Sequence, residues 1–296
     1  DNGRIFPRSN QAQTVVDALN DKLQENQVLI KTSSAVKKIN RIDIGFMILL
    51  NNGEQILAEK LIITTGGKAA PHLGSTGDAY FWAELLGHNI TENSPALVPL
   101  ETVETWPKEI SGLRVEGESY ITYNDEIISK KHGDILFTHF GLSAPSIMAH
   151  ASQISEHIKN NLLIHLDLFP DNSVNELNIL LAKIFASTGK KALKNSLAGI
   201  MANNLALVIL HLLKLNPDRK TAEVSKIDRI KIAEKIKNIT LTIKDFRSYK
   251  EAQVTHGGIN INEIDSHTLQ SKLVHGLYFA GEVLDVDGDS GGFNLH

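Results

Sequence analysis

Apolar residues recur at helical spacing from Val15 and Val16 through Leu19 to Leu23, and Ser9 or Asn10 just before them can cap, so the chain opens with a predicted amphipathic helix. Short apolar runs follow. Val28–Ile30, Ala35–Ile39 and Phe46–Leu50 read as strands, and Asn51-Asn52-Gly53 supplies the turn that joins the last of them to Gln55–Leu57 as a hairpin. Lys60–Thr65 reads as a buried strand that ends in Gly66-Gly67, where the backbone is free to turn sharply or to let a ligand approach. Gly74-Ser75-Thr76-Gly77-Asp78 then introduces a helix over Ala79–Leu86, stopped by Gly87.

The texture changes from Ser94-Pro95 to about Leu168, where short strand-like pieces with frequent Gly and Pro predict an all-β portion. Pro170-Asp171-Asn172-Ser173 punctuates its end. Residues 174–237 carry Leu, Ile, Ala and Lys at helical periodicity and predict a small helical module. Ile239–Ile243 alternates as a strand, and the chain closes on Leu277-Tyr278-Phe279-Ala280-Gly281-Glu282, a second apolar strand ending in glycine. Leu197–Leu215 is nearly long enough to span a bilayer, but Asn203, Asn204, His211 and Lys214 inside it favour a buried helix.

With 296 residues, 42% hydrophobic and 22% charged, the chain has the size and balance of about two globular domains. It has no cysteine, which removes disulfides, thiolate metal sites and cysteine nucleophiles and leaves redox chemistry to a bound cofactor. The absence of cysteine and of an opening signal peptide fits a cytoplasmic protein. A net charge of -4 argues against a nucleic-acid partner, and the basic stretch Lys214–Lys237 is interleaved with Asp218, Glu223, Asp228 and Glu234 in the manner of a solvated helix face. Small-molecule chemistry, with no nucleic acid and no membrane, is the expectation.

Two strand-to-glycine endings, at Thr65-Gly66-Gly67 and Ala280-Gly281-Glu282, match the way open α/β sheets bind flat or phosphorylated ligands at their carboxyl ends, although glycine also simply marks turns. The segment from Glu282 to Asn294 crowds Asp285, Asp287 and Asp289 among Gly288, Gly291 and Gly292. Alternating acids are compatible with calcium, but Gly288 is misplaced for an EF-hand and no closing Glu follows. The other reading is a cofactor loop in which Gly291-Gly292 amides approach a dinucleotide and Glu282 or Asp285 takes a hydroxyl. Gly141-Leu142-Ser143-Ala144-Pro145 falls short of a nucleophile elbow because proline replaces the last glycine, which favours a turn. The twelve histidines show no tight metal spacing; His139, His256 and His275 stand beside glycine-rich turns, and His139 and His256 are the candidates for substrate-side roles. No Gly-x-Gly-x-x-Gly and no Walker loop is present, so a diphosphate cradle would be incomplete.

Four segments together resemble the BaiN-type bacterial flavoproteins, FAD-dependent oxidoreductases related to the two-dinucleotide-binding fold of glutathione reductase. They are Gly3–Pro7 with the helix behind it, Thr65-Gly66-Gly67 through Gly74–Asp78 to His88, Leu136–Pro145, and Ser271 through Gly281-Glu282 to Asn294-Leu295. The resemblance implies an α/β fold: an FAD-binding domain over 1–94 and 251–296, interrupted by a β-barrel-like portion over 95–170 and 238–250 and a helical domain over 171–237. It implies that Val36 meets the adenine side, that Thr65, Gly66 and Gly67 pass near the diphosphate, and that Gly281, Glu282, Gly291, Gly292, Phe293 and Asn294 line the ribityl chain and flavin. It also implies hydride transfer between a small organic substrate and FAD, with NAD(P)H or oxygen as second redox partner. Family members carry a Gly-x-Gly-x-x-Gly segment upstream of anything present here and continue past the final Asn-Leu, so the chain is expected to be a core fragment, inactive by itself. The alternative expectation is a binding or regulatory module that kept the fold without turnover.

Overall fold

The computed structural model describes residues 5–295. Gly3 and Arg4, which belong to the first of the resembling segments, lie outside the described residues, as do Asp1, Asn2 and His296. Helix α1 (Ala12–Glu25) forms where the periodicity places it, with Val15, Val16, Leu19 and Leu23 exposed. The strand expected at Val28–Ile30 does not form. Its side chains are exposed and, among the described residues, no strand pairs with it, so the triplet gains neither a ladder nor burial.

An antiparallel meander comes next: β1 (Val36–Ile42), β2 (Gly45–Leu50) and β3 (Gln55–Ala58), the last two joined by the turn at Asn51-Asn52-Gly53. Strand β4 (Leu61–Ile63) is the central part of the predicted run Lys60–Thr65. Helix α2 (Asp78–Leu85) starts after Gly77, whose φ of 81° brings the chain round, and stops at Gly87.

Strand β5 (Ser94–Ala96) leads to β6 (Leu100–Thr102), the first strand of a closed barrel. Next come the long hairpin β7 (Arg114–Tyr123) and β8 (Glu126–Phe137), then β9 (Gly141–Ser143), the short helices α3 (Pro145–Met148) and α4 (Ala151–Ile154), and β10 (Leu163–Asp167). The helical stretch holds α5 (Val174–Ser187), started by a Ser173–Glu176 capping box, α6 (Leu193–Ser196), α7 (Asn203–Leu212) and α8 (Lys226–Lys237). Strand β11 (Ile239–Phe246) returns to complete the barrel, in the order β10-β11-β6-β9-β8-β7 with β7 pairing back onto β10. Strands β12 (Val254–His256) and β13 (Leu277–Phe279) and helix α9 (Gly291–Leu295) end the chain.

The apolar run 197–215 breaks at Ile200–Ala202 into a 3-10 turn (Leu197–Gly199) and α7, which starts at Asn203 and buries Leu205, Ala206, Ile209 and Leu210. Among the described residues no helix is long and apolar enough to cross a membrane.

Two main cores result. The barrel interior, with Ile121, Ile135, Phe137, Leu142, Ile164 and Leu241, merges with the helical stretch through Leu177, Leu181, Ile209 and Ile236. The second core joins the meander to α2 and β13 through Phe46, Ile63, Trp82, Leu277 and Phe279. Burial of such side chains, at about 1.5–3 kcal/mol each, is the driving force that holds each layer against its neighbour. Strands β4 and β13 pair in parallel, Leu61 with Leu277 and Ile63 with Phe279, although they lie at opposite ends of the chain. Their carboxyl ends therefore emerge side by side.

Candidate functional site at the paired strand ends

Past β4 the chain runs through Thr64 and Thr65 to Gly66, at φ 73°, and past β13 it reaches Gly281, at φ 79° and exposed, where an added Cβ would meet nothing. Both positions use the left-handed backbone region that glycine adopts without steric cost. Gly67 is buried and has a different role. A Cβ there would lie 2.4 Å from Thr255 Oγ1 and 2.6 Å from Glu282 Oε1, so the missing side chain is what lets three segments meet.

At that meeting point Thr255 Oγ1 accepts hydrogen bonds from the amides of Lys68 (2.7 Å) and Ala69 (3.0 Å). The Glu282 carboxylate accepts from the Thr255 amide (3.0 Å). Strand β12, paired with β5, thus ties the loop after β4 to the loop after β13. The Tyr80 hydroxyl of α2 is buried and, among the described residues, has no hydrogen-bond partner, and the same holds for the Asn93 side-chain amide nitrogen. Burial pushes the Tyr80 phenol well above its ordinary value, and the negative charge of Glu282, the Tyr249 phenol and Asp285 push it further. The phenol is therefore held neutral and keeps a proton to donate.

The acidic loop is pinned acid by acid. Asp285 accepts from Thr91 Oγ1 at 2.6 Å. Asp287 bonds His256 Nδ1 at 2.7 Å and accepts from the Ser152 hydroxyl. Asp289 reaches Lys131 of β8 at 3.2 Å. Because each acid is engaged by a different element, they do not converge, and among the described residues no group of three potential metal ligands comes together. Asn294 closes the loop, accepting from the Gly288 amide and donating to the Gly288 and Ser290 carbonyls. Gly291 lies near Gln253, while Gly292 and Phe293 are exposed.

Thr65, Gly66, Gly67, Gly281 and Glu282 thus stand together, and Asp285 continues directly into the loop that carries Gly291, Gly292, Phe293 and Asn294. Val36 stands apart, half-buried at the start of β1 against the second core. His256 belongs to the site through Asp287. His139 does not: it lies on the barrel, in a cleft of about 300 Å³ shared with Phe140, Arg247 and Lys108. His275 pairs with Gln270 on the surface (3.2 Å), away from the strand ends. Ser143 ends strand β9 and Ala144 leads straight into α3, so the turn expected over Gly141–Pro145 is a strand-to-helix junction instead, with the Ser143 hydroxyl directed to Met148 sulfur. Sequence reasoning missed Thr255, Thr91, Ser152, Tyr80 and Asn93; the one legible signal was the glycine-rich turn beside His256, Gly257-Gly258, which marks close backbone approach without naming its partner.

Parallel strands whose glycine-ended termini emerge beside one another, backed by helix and meander and interrupted by a barrel and a helical stretch, define a Rossmann-type α/β protein. The chain belongs to the HI0933-like protein Rossmann domain family, whose profile matches residues 1–296. It is similar to the 3-dehydro-bile acid delta(4,6)-reductase of Clostridium scindens, 28% identical over 99% of this chain and 72% of that protein. It is also similar to the ribosomal RNA dihydrouridine synthases of Escherichia coli, 31% identical over 99% of this chain and 70% of that protein, and of Haemophilus influenzae, 30% identical over 96% and 69%. The last two correct the expectation of no nucleic-acid partner. Net charge is a sum over the whole surface, whereas an enzyme that modifies RNA needs only a local cationic patch around its site.

Proposed function

We propose that the chain is the core of an FAD-dependent reductase that saturates a carbon–carbon double bond conjugated to a carbonyl, with NAD(P)H as the source of reducing equivalents. The observation that carries this reading is the junction of the two glycine-ended strand termini with Glu282 and the unpaired Tyr80 hydroxyl. Such a junction offers what a flavin nucleotide needs: open backbone at Gly281, a carboxylate for ribityl hydroxyls at Glu282, and, among the described residues, buried donors without partners at Tyr80 and Asn93. The names of the relatives support the reaction class. A Δ4,6-reductase and a dihydrouridine synthase both add hydrogen across a double bond, since dihydrouridine is uridine saturated in its pyrimidine ring.

In this reading residues 1–94 and 251–296 hold the cofactor, with Thr65, Gly66, Gly67, Gly281, Glu282, Asp285, Gly291, Gly292, Phe293 and Asn294 around it and Val36 towards its adenine end. The barrel and helical stretch shape the substrate side. Bound flavin would supply the hydride chemistry, and the protein would orient it and exclude water. The test is to incubate the product of the complete gene with FAD, remove free ligand by gel filtration and record the visible spectrum. Retained flavin that NADH or NADPH bleaches anaerobically is expected; a colourless protein refutes the reading.

A further inference from the structure

His256 and Ser94 are direct partners across the antiparallel ladder of β12 and β5, so their side chains project from the same face. The Nδ1 of His256 is 2.7 Å from an oxygen of Asp287, whose side chain is only 9% exposed and whose second oxygen is held by the Ser152 hydroxyl. Asp287 is thus fixed from two sides and cannot swing away from the ring. Among the described residues Nε2 of His256 has no hydrogen-bond partner, and the side chain is 29% exposed. The Ser94 hydroxyl on the same face is buried and also unpaired. An unfilled buried hydroxyl beside a free imidazole nitrogen, at the junction of the acidic loop, the β5–β12 ladder and α4, is an arrangement that a ligand completes.

We propose that His256 is the proton donor of the reductase, oriented by Asp287, with Ser94 hydrogen-bonding the substrate; this rests on the reductase reading above. Saturating the conjugated double bond requires a hydride at the β-carbon and a proton at the α-carbon. The hydride comes from the reduced cofactor. The proton comes from Nε2: its N–H bond breaks as the new C–H bond forms, the electron pair stays on Nε2, and the neutral ring is reprotonated from solvent through its exposed edge. Asp287 holds the Nδ1 proton in place, so only the Nε2 proton is transferred.

The groups that face the ring act in one direction. The hydrogen bond from Asp287 raises His256 above the ordinary imidazole value of 6.5, burial lowers it, and the charges of Asp287, Asp285 and Glu156 raise it again. The hydrogen bond and the neighbouring charges thus outweigh burial and favour the charged form of the ring. Asp287 itself is raised by burial, but its bonds to His256 and Ser152 outweigh this and hold it below the usual carboxylate range.

Two measurements test the proposal. In an NMR titration of the protein, the imidazole of His256 titrates above 6.5 in the wild type and moves towards that value in Asp287→Asn; an unshifted wild-type ring that the variant leaves unmoved overturns the dyad. In stopped-flow, the flavin of His256→Gln is first reduced anaerobically with NADPH. Its reoxidation by a 3-oxo-Δ4,6 steroid or by a uridine-containing ribosomal RNA fragment slows about a hundredfold, and the decline in rate at high pH disappears. Should His256→Gln fail to fold, Asp287→Asn is read in the same way. Wild-type reoxidation and an unchanged pH profile in the variant overturn the assignment of His256, whereas a protein that holds no flavin, or whose reduced flavin neither substrate reoxidises, removes the reductase reading itself.

Discussion

His150 makes the stability of the barrel depend on pH in a way that can be calculated. The ring is fully buried, with Nε2 2.9 Å from Ser119 Oγ and Nδ1 2.6 Å from Ser129 Oγ, and among the described residues no carboxylate bonds to it. Burial first, and the charge of Lys131 second, lower it from 6.5 to about 3, so the folded protein holds it neutral. The unfolded chain binds this proton below pH 6.5 and the folded chain does not, so stability present at neutral pH is lost as pH falls through 6.5 towards 3. For these two values the loss is about 2 kcal/mol at pH 5 and about 3 kcal/mol at pH 4, a large share of a typical folding free energy. His88, also lowered by burial, adds in the same direction, and His256, raised by Asp287, opposes it. His150→Gln keeps groups that can bond both serines but does not titrate, and the other histidines cancel in the comparison. Urea unfolding at half-unit steps from pH 7 to 5 should show wild-type stability falling more steeply than that of His150→Gln, approaching a difference in slope of about 1.4 kcal/mol per pH unit at the acid end. Parallel curves would refute the argument, because a ring that charges freely in the folded state cannot be sealed between the two serines.

Two further outcomes follow from close contacts. Gly67→Ala should cost about 2–4 kcal/mol in urea unfolding, since its Cβ displaces Thr255 and Glu282 and strips the Lys68 and Ala69 amides of their acceptor, whereas Gly199→Ala, with nothing near its Cβ, should stay within about 0.5 kcal/mol. Glu104→Ala should lower the thermal midpoint by an amount equivalent to about 1–2 kcal/mol, because the carboxylate accepts from both the amide (2.8 Å) and the hydroxyl (3.0 Å) of Thr242 on β11.

The candidate site was readable in part. Thr65-Gly66-Gly67 and Gly281-Glu282 stood out because an apolar strand ending in glycine is a local pattern, and both lie at the paired strand ends. Asp285, Asp287 and Asp289 stood out too, with Gly288 and the missing closing Glu already speaking against an EF-hand, but their separate partners Thr91, His256 with Ser152, and Lys131 could not be read from the sequence. The strand at Val28–Ile30 failed for the opposite reason: the pattern was there and the partner was not.

The order of helices and strands, the all-β middle with its helical stretch and the glycine-ended termini were determined by the sequence, since periodicity, capping and turn chemistry act over a few residues. Tertiary structure decided which distant segments meet. The Lys68 amide finds Thr255 187 positions away, His256 faces Ser94 through strand register, and Asp287 reaches both a strand and a helix of other layers. Such contacts arise only when β4 and β13, from opposite ends of the chain, pair and bring their loops together. No local pattern encodes that pairing, because it is selected by the burial and hydrogen bonding of the whole fold.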